Sequence, residues 1–459
     1  MRKSSVTTLA IALLSGACSL VPSLDPVSAP VSAKFPGRTG GEVPADIAWQ
    51  KFFADPRLRK IVEATLANNR DLRIATLNVE QARAQYSISR SELFPSTSGF
   101  ASSERRRGLG QPGTNSPAIE SGSYEVSVGL NSYELDLFGR VRSLNSAALE
   151  TYFASDAARV GVQISLVAQV ANQYLAERAL QEQIALAQQT LSGMDSAYDL
   201  MKKRFDVGTV SELDLSSMEI QRQTARVDLS TFRQRSQEIT NSLVFLAGGS
   251  IPSNLPNGRS LDQVVVAEVK PGVSSDLLYR RPDIREAEHQ LRAANANIGA
   301  ARAACFPSIT LTASGGTASR SLSKLFSGGT STWLFSPDVN LPIFDGGANR
   351  ANLKSAEVGK QIAIANYEKS IQTGFREVAD SLASRSGFAE RITATEALVA
   401  AQQKRTDLAS ARYAKGVDSY FEVLNATLDL FSARQRLIQL RLARAINAVN
   451  LYKALGGGW

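Results

Sequence analysis

The chain is written twice. Phe94-Pro95-Ser96 returns as Phe306-Pro307-Ser308, and Asp71-Leu72-Arg73 as Asp283-Ile284-Arg285, both 212 positions on. Arg204-Phe205-Asp206-Val207-Gly208 returns as Arg412-Tyr413-Ala414-Lys415-Gly416, and Leu246-Ala247-Gly248-Gly249 as Ala454-Leu455-Gly456-Gly457, both 208 on. A repeat this long exceeds the roughly 20–50-residue periods of solenoids, so each copy must be a large part of one fold.

Proline marks where helices can run. There is none between Pro117 and Pro252, and none after Pro342. Proline breaks helix interiors, and both tracts are rich in Ala, Leu, Gln, Glu and Arg. Leu180, Ile184, Ala187, Leu191, Met194, Tyr198, Met201 and Phe205 advance by fours and threes, a coiled-coil seam. The spacing predicts a helix over about 140–205, roughly 100 Å long at 1.5 Å per residue. Gly208 and Gly416 punctuate the long runs, and Ser211 and Ser419 precede new apolar-periodic runs, the grammar of helical hairpin tips. Further helices are expected over about 56–91 and 283–304.

Between the helices the apolar period falls to two. Tyr124, Val126, Val128 and Leu130 alternate with Glu125, Ser127, Gly129 and Asn131. Ile309, Leu311 and Ala313 alternate with Ser308, Thr310, Thr312 and Ser314, and Trp333, Phe335, Val339, Leu341 and Ile343 with Ser336, Asp338 and Asn340. Alternation alone fits a barrel strand between lipid and a wet lumen as well as it fits a soluble sandwich strand. Four strands are expected, over roughly 94–104, 123–137, 305–318 and 331–343, each long enough to cross a bilayer when tilted. Four strands cannot close a barrel, and lipid does not tolerate open edges, so in the membrane reading the chain must oligomerise. Three copies give twelve strands, an even number in the known range. Gly- and Ser-rich stretches over 108–122 and 320–329 are the expected loops.

The N-terminus carries a secretion signal: Arg2 and Lys3, an apolar core from Val6 through Leu14, then Ser15-Gly16-Ala17 before Cys18. A cysteine there predicts an acylated lipoprotein start, with Ser19 suiting outer-membrane sorting. Ser15 stands where such signals usually carry Leu, and Ser15-Gly16-Ala17 also suits ordinary cleavage. The one other cysteine is Cys305, so acylation of Cys18 leaves no disulfide.

Composition narrows the function classes. At 459 residues and 43% hydrophobic, the chain is not disordered. Its net charge of +8 is spread along helices, and the one basic run, Arg105-Arg106-Arg107, has no stacking motif beside it, so nucleic acid is not an expected partner. The single histidine, His289, has no metal-ligand spacing or nucleophile triad around it, and Gly346-Gly347 and Gly456-Gly457-Gly458 lack the P-loop lysine. No enzyme, metal or cofactor is expected.

The run Asp276-Leu277-Leu278-Tyr279-Arg280-Arg281-Pro282-Asp283-Ile284-Arg285-Glu286-Ala287-Glu288, with Ala294-Asn295-Ala296 and Phe306-Pro307-Ser308-Ile309, resembles the NodT-type outer-membrane factors of the TolC superfamily. So do Leu135-Asp136-Leu137-Phe138-Gly139-Arg140 and Leu341-Pro342-Ile343-Phe344-Asp345-Gly346-Gly347. The resemblance implies a mixed α and β membrane protein: a long α-helical, coiled-coil barrel plus a transmembrane β-barrel completed by trimerisation. It implies the exit duct of a tripartite efflux pump in the outer membrane, with a homotrimer, a periplasmic adaptor, an inner-membrane transporter and outer-membrane lipid as partners, and small toxic compounds as cargo. Val207-Gly208-Thr209 resembles the family's adaptor-docking turn, with Lys415-Gly416-Val417 as its second copy. Asp418, Phe421, Glu422 and Asn425 fall where the family builds its gate, Glu422 where relatives often have Asp and Asn425 where many carry a second one. The copies diverge at Asp214 against Glu422 and Thr209 against Val417, where their jobs are expected to split. A trimeric lipoprotein tethering envelope layers and a duct for secreted proteins are the competing readings.

The expected organisation is a signal peptide over 1–17, a lipidated extended segment over 18–55, a first repeat over 56–250, a linker over 251–280 and a second repeat over 281–459. Each repeat should hold a short helix, a strand pair and a long helical hairpin.

Overall fold

A computed structural model describes residues 19–32, 35, 48–107, 120–264 and 275–457. The expected signal peptide, Cys18, most of the 108–122 loop and residues 265–274 of the linker lie outside the described residues.

The duplication is visible element by element. The first copy holds α1 (Pro56–Asn68), α2 (Arg70–Ser91), β1 (Thr97–Arg107), β2 (Glu120–Glu134), α3 (Arg140–Asp206) and α4 (Glu212–Leu246). The second holds α5 (Pro282–Ala303), β3 (Ser308–Ser319), β4 (Ser331–Asn340), α6 (Ala348–Ala414) and α7 (Tyr420–Ala454). α3 and α6 each have 67 residues, α4 and α7 each 35, and α2 and α5 each 22.

Two expectations need correction. The helix expected over 56–91 is two helices, because Asn69 serves both ends of a break. It closes α1 in an extended conformation, accepts from the Leu72 amide at 3.0 Å to open α2, and donates to the Leu246 carbonyl at 2.9 Å. The strands start or stop about three residues from where alternation put them. The amides of Leu93 and Phe94 bond back to Arg90 and Ser91, and those of Cys305 and Phe306 to Arg302 and Ala303, so both Phe-Pro-Ser motifs begin in helix-ending turns rather than in strands. Leu137 likewise bonds back to Leu135 and leaves the ladder.

The chain divides into two compact units, each drawing on both copies. The first comprises residues 1–28, 78–156 and 286–367 and contains one antiparallel sheet in the order β1-β2-β3-β4. Its central pairing, Val128 opposite Gly315 and Leu130 opposite Ala313, joins one copy to the other. β1 and β4 are left as edges.

The second unit comprises 29–77, 157–285 and 368–459. Its largest apolar cluster joins Phe52, Phe53, Leu58 and Ile61 to Val170, Tyr174 and Leu175 of α3 and Val449 and Tyr452 of α7. Phe52 stacks on Tyr452 at 4.1 Å. Asp55 is fully buried and fully bonded: one oxygen caps α1 through the Arg57 amide at 2.8 Å, the other accepts from Tyr174 Oη at 2.8 Å and the Arg259 amide at 2.7 Å. Burial first, and then the Asp55 carboxylate, hold the Tyr174 phenol protonated far above its usual range. A buried carboxylate is tolerable only with its lone pairs satisfied in this way.

Along α3 the seam packs as expected up to Met201. Leu180 and Ala187 meet Leu229 and Phe232 of α4, while Met194 and Met201 meet Met218 of α4 and Leu424 of α7. Phe205, the last expected seam residue, is exposed, because the chain reverses at Gly208 and no helix continues past it to cover the ring.

Candidate functional site

The sheet sorts its side chains by chemistry. Directly opposed residues share a face, so the register puts Ala101, Val126 and Thr317 together, and Gly99, Val128, Gly315 and Trp333. Leu130 with Phe335, Ile309 with Val339, and Leu311 with Tyr133 extend that apolar face. The other face carries Ser102 with Glu125, Ser127 with Gly316 and Thr332, Thr312 with Ser336, and Thr310 with Asp338. Phe100 and Leu334 are its two large apolar exceptions. Trp333, Phe335 and Val339 remain exposed, Trp333 by 81%. A sheet that bares an apolar face on one side and a polar face on the other suits lipid against water, and not a soluble sandwich, which would bury the first.

A bulge between Leu130 and Tyr133 keeps this sorting intact across an irregularity. Ser132 takes a positive φ of 47° there, unusual for a non-glycine residue. Nothing in the alternation signals it.

The two copies are not equally satisfied at the foot of the sheet. Phe138, after β2, stacks on Phe306, before β3, with centroids 4.8 Å apart. Their repeat counterparts are Phe344, after β4, and Phe94, before β1, and both are bare, Phe344 by 91%. The stacked pair sits where β2 meets β3; the bare pair sits at the two unpaired edges.

The hairpin tips bring together most of the remaining expected site residues. Gly208 and Gly416 both take φ of 72°, the left-handed conformation that ends a helix and reverses the chain. Around that shared turn the side chains differ. In the first tip Ser211 and Asp214 form a reciprocal capping box, the Asp214 amide donating to Ser211 Oγ at 3.1 Å and the Ser211 amide to Asp214 Oδ2 at 3.2 Å. Val207 stands 73% exposed, and Thr209 Oγ1 donates to the Arg204 carbonyl at 2.9 Å. In the second tip Ser419 holds the N-cap position with no side-chain cap bond. Arg412 grips Asp418 instead, Nε to Oδ2 at 2.5 Å and Nη2 to Oδ1 at 2.9 Å. The Arg412 bond holds the Asp418 carboxyl below the usual carboxylate range. Lys415 and Val417 are exposed beside it.

On α7, Val423, Leu424 and Ala426 are buried in apolar clusters. Phe421, Glu422 and Asn425 fall on the other side, the first two exposed and Asn425 half-buried. Asp429 continues that stripe and pairs with Arg405 at 2.6 Å. Sequence reasoning missed Arg412, Arg405 and one contact between tips: Arg204 donates to the Tyr413 hydroxyl, its guanidinium 5.2 Å from the ring centroid. The last had no local signal, since its partners are 209 positions apart.

In the sheet-bearing unit, Leu20 to Pro22 are seated on α5. Arg302 donates to the Leu20 carbonyl at 3.4 Å and Asn295 to the Pro22 carbonyl at 2.8 Å. A Cβ at Gly299 would lie 2.4 Å from Val21, so only glycine admits the segment there. His289 sits 2.6 Å from Glu150 and against Phe153, a local helix-to-helix contact. Among the described residues no group of potential metal ligands occurs and no helix is long and apolar enough to cross a membrane.

Comparison with known proteins follows the same lines. The family described as outer membrane efflux protein matches residues 61–249 and 273–457. The toluene efflux pump outer membrane protein TtgC of Pseudomonas putida is 46% identical, covering 100% of this chain and 96% of its own. The outer membrane protein OprJ of Pseudomonas aeruginosa is 40% identical, covering 100% and 97%. The open state of the MtrE outer membrane channel of Neisseria gonorrhoeae superposes with a TM-score of 0.89 at 38% identity, covering 96% and 98%.

Proposed function

The chain belongs to the outer membrane efflux protein family, and on that footing we propose that it is the outer-membrane exit duct of a tripartite pump expelling small toxic compounds. The observation that carries the reading is the sheet: one apolar face, one polar face, and two edges that end in unstacked phenylalanines. A homotrimer resolves all three. It closes twelve strands into a barrel, places the apolar face in lipid and the polar face around a lumen, and sets β4 of one protomer beside β1 of the next. Phe344 then meets Phe94 of the neighbour as Phe138 meets Phe306 within the chain, a contact worth about 0.5–1.5 kcal/mol beyond area burial.

Energy comes from an inner-membrane transporter, reached through a periplasmic adaptor; the duct supplies a sealed path. Val207-Gly208-Thr209 is the principal docking turn, exposed and free of any ion pair, with Lys415-Gly416-Val417 as the secondary one. Asp418, Phe421, Glu422 and Asn425 form the gate. Threefold symmetry gathers three copies of the unpaired Glu422 into a ring that favours cations. Acylation of Cys18 anchors the chain in the outer membrane; the Ser19–Pro22 segment is already fastened to α5 just beyond it.

The test uses the full-length protein carrying Cys305→Ser, Phe94→Cys and Phe344→Cys. Oxidation should yield covalent trimers, and the reduced protein should show conductance steps in a planar bilayer. Monomers only on oxidation, or no pore even when Phe421→Ala and Glu422→Ala loosen the gate, would overturn the duct. Mass spectrometry of the mature N-terminus, with Cys18→Ser as control, tests the anchor.

A further inference from the structure

The long hairpins hold a cleft that the duct leaves unused. It lies between α3 and α7, has a volume of about 260 Å³, and is walled by Leu186 and Met194 on one side and Leu424, Leu430 and Phe431 on the other. Arg434 lines the end remote from the tip, half-buried. Among the described residues it pairs with no carboxylate and makes one bond, from Nη2 to Gln403 Oε1 at 2.6 Å. Gln403 in turn donates its amide to Asp407 at 2.9 Å, so it stands between that carboxylate and the guanidinium. A guanidinium carries five N–H donors, and most of those on Arg434 are left for an occupant of the cleft.

Gly193 opens the α3 wall. Glycine inside a helix is destabilising, yet a Cβ placed here would meet nothing within 4 Å, so packing does not require it. A second copy of the chain does not fill the space either. Apolar contacts run from α4 to α3, from α3 to α7 and from α7 to α6, which makes α4 and α6 the outer helices of the set and leaves the cleft between the inner two.

The shape and charge select the occupant. The volume falls just below the ~300–1,000 Å³ of drug-sized sites, which limits it to one or two rings. Leucine, methionine and phenylalanine walls take the rings, and the unpaired guanidinium takes a carboxylate in forked geometry. At about 3.6 residues per turn, Leu424, Phe431 and Arg434 share one face of α7, and Glu422, Asn425 and Asp429 fall on the opposite one.

We propose that the cleft of Arg434, Phe431 and Met194 binds a small aromatic carboxylate, which ties α7 to α3 and holds the tip closed. The closing effect rests on the duct reading, in which the gate residues ride on the far face of α7 and a ligand wedged against α3 resists their displacement.

Isothermal titration of the full-length protein in detergent with 1-naphthoate tests the site, with uncharged 1-naphthamide as control. The wild type should bind the acid and not the amide. Arg434→Gln should weaken binding at least about tenfold, the scale of a lost charge-assisted bond, and Arg434→Lys only a few-fold. Gly193→Leu should abolish binding by filling the cleft, in a helix that leucine favours over glycine. Millimolar 1-naphthoate should lower wild-type conductance in a planar bilayer and leave the Gly193→Leu channel unaffected. Equal binding of the amide, undiminished binding in the glutamine or leucine variant, or binding without an effect on conductance would each overturn the proposal. Loss of resistance in Arg434→Gln cells, with no naphthoate bound by the wild type, would assign the cleft to an acidic protein segment and overturn it as well. A ligand-free wild type that never conducts would instead strike the duct reading, and the titration would still decide the site.

Discussion

The two hairpin tips are the same backbone with different wiring. Each reverses at a glycine with φ of 72° after a 67-residue helix and before a 35-residue one. The first closes on itself through the Ser211–Asp214 box and leaves Val207 bare. The second has no such cap, and position 418 carries an acid where the first copy has Val210, so Arg412 turns inward to grip it. Arg204, lacking an acid at 210, reaches instead to Tyr413 in the other tip. The shared turn is wired differently at 210/418 and 205/413: the first tip caps its own helix, and the second holds an ion pair within itself and accepts Arg204 on Tyr413.

The comparison is sharpest at the glycine-flanked apices. Val207→Asp places a charge in the proposed docking turn and should abolish resistance in a complemented deletion strain by at least about tenfold, the scale of losing an interface hot spot. Val417→Asp should cost much less, and purified channels of both should conduct normally. Equal loss from both would erase the distinction between the tips.

The next effect is on opening. Asp418→Asn removes the charge that Arg412 grips and one of its two acceptor oxygens, and should raise bilayer conductance several-fold, whereas Asp214→Asn in the first tip should leave it unchanged. Because the folded-state value of Asp418 is lowered, the ion pair contributes fully above the unfolded value of about 3.9 and is lost as pH falls through the lower folded one. Wild-type conductance should therefore rise in strongly acid solution, below about pH 4, and the Asp418→Asn channel should show no such rise. A flat wild-type profile would remove the Arg412–Asp418 pair from the gate.

Charge selectivity should move less. Glu422 has no partner among the described residues, so its carboxylate is free for the lumen-facing role proposed for it, and Glu422→Gln should shift the reversal potential in a salt gradient toward the non-selective value. Asn425→Asp should shift it the other way. The counterpart change Asp214→Asn should do neither, since that carboxylate is spent on its own helix end.

What the sequence disclosed follows from what is periodic or repeated. The long helices, the return helices and the two reversing glycines were legible because proline absence, the four-three spacing and the Arg-to-Gly echo all act locally. The break at Asn69 was not, since asparagine can stand inside a helix, and what makes it a cap is its side chain, which accepts from the Leu72 amide and donates to the Leu246 carbonyl 177 positions away. Alternation starts strands at or beside the Phe-Pro-Ser echoes, yet their phenylalanines belong to turns, where Phe306 serves stacking rather than alternation. At the tips the composition was visible and the pairing was not: Asp418 and Glu422 are both acids beside a turn, and only the arrangement of Arg412 makes one of them bound and the other free.

The smallest effect tests the tip that caps its own helix. An N-cap serine replaced by alanine costs roughly 0.5–2 kcal/mol of local helix stability, typically about 1, because an amide at the helix start loses its acceptor. Ser211→Ala breaks one half of the box, freeing the Asp214 amide, and takes the Ser211 hydroxyl, 2.7 Å away, from the Asp214 carboxylate, while the backbone amide at 211 still donates to it. Hydrogen exchange over the first turn of α4 should quicken by about fivefold, the ratio that ~1 kcal/mol gives. Ser419→Ala removes no side-chain cap bond and should leave exchange at the start of α7 unaltered. Were Ser419→Ala to loosen its tip as much as Ser211→Ala, the two turns would be capped alike, and the Arg412–Asp418 pair would no longer stand as the second tip's substitute for a cap.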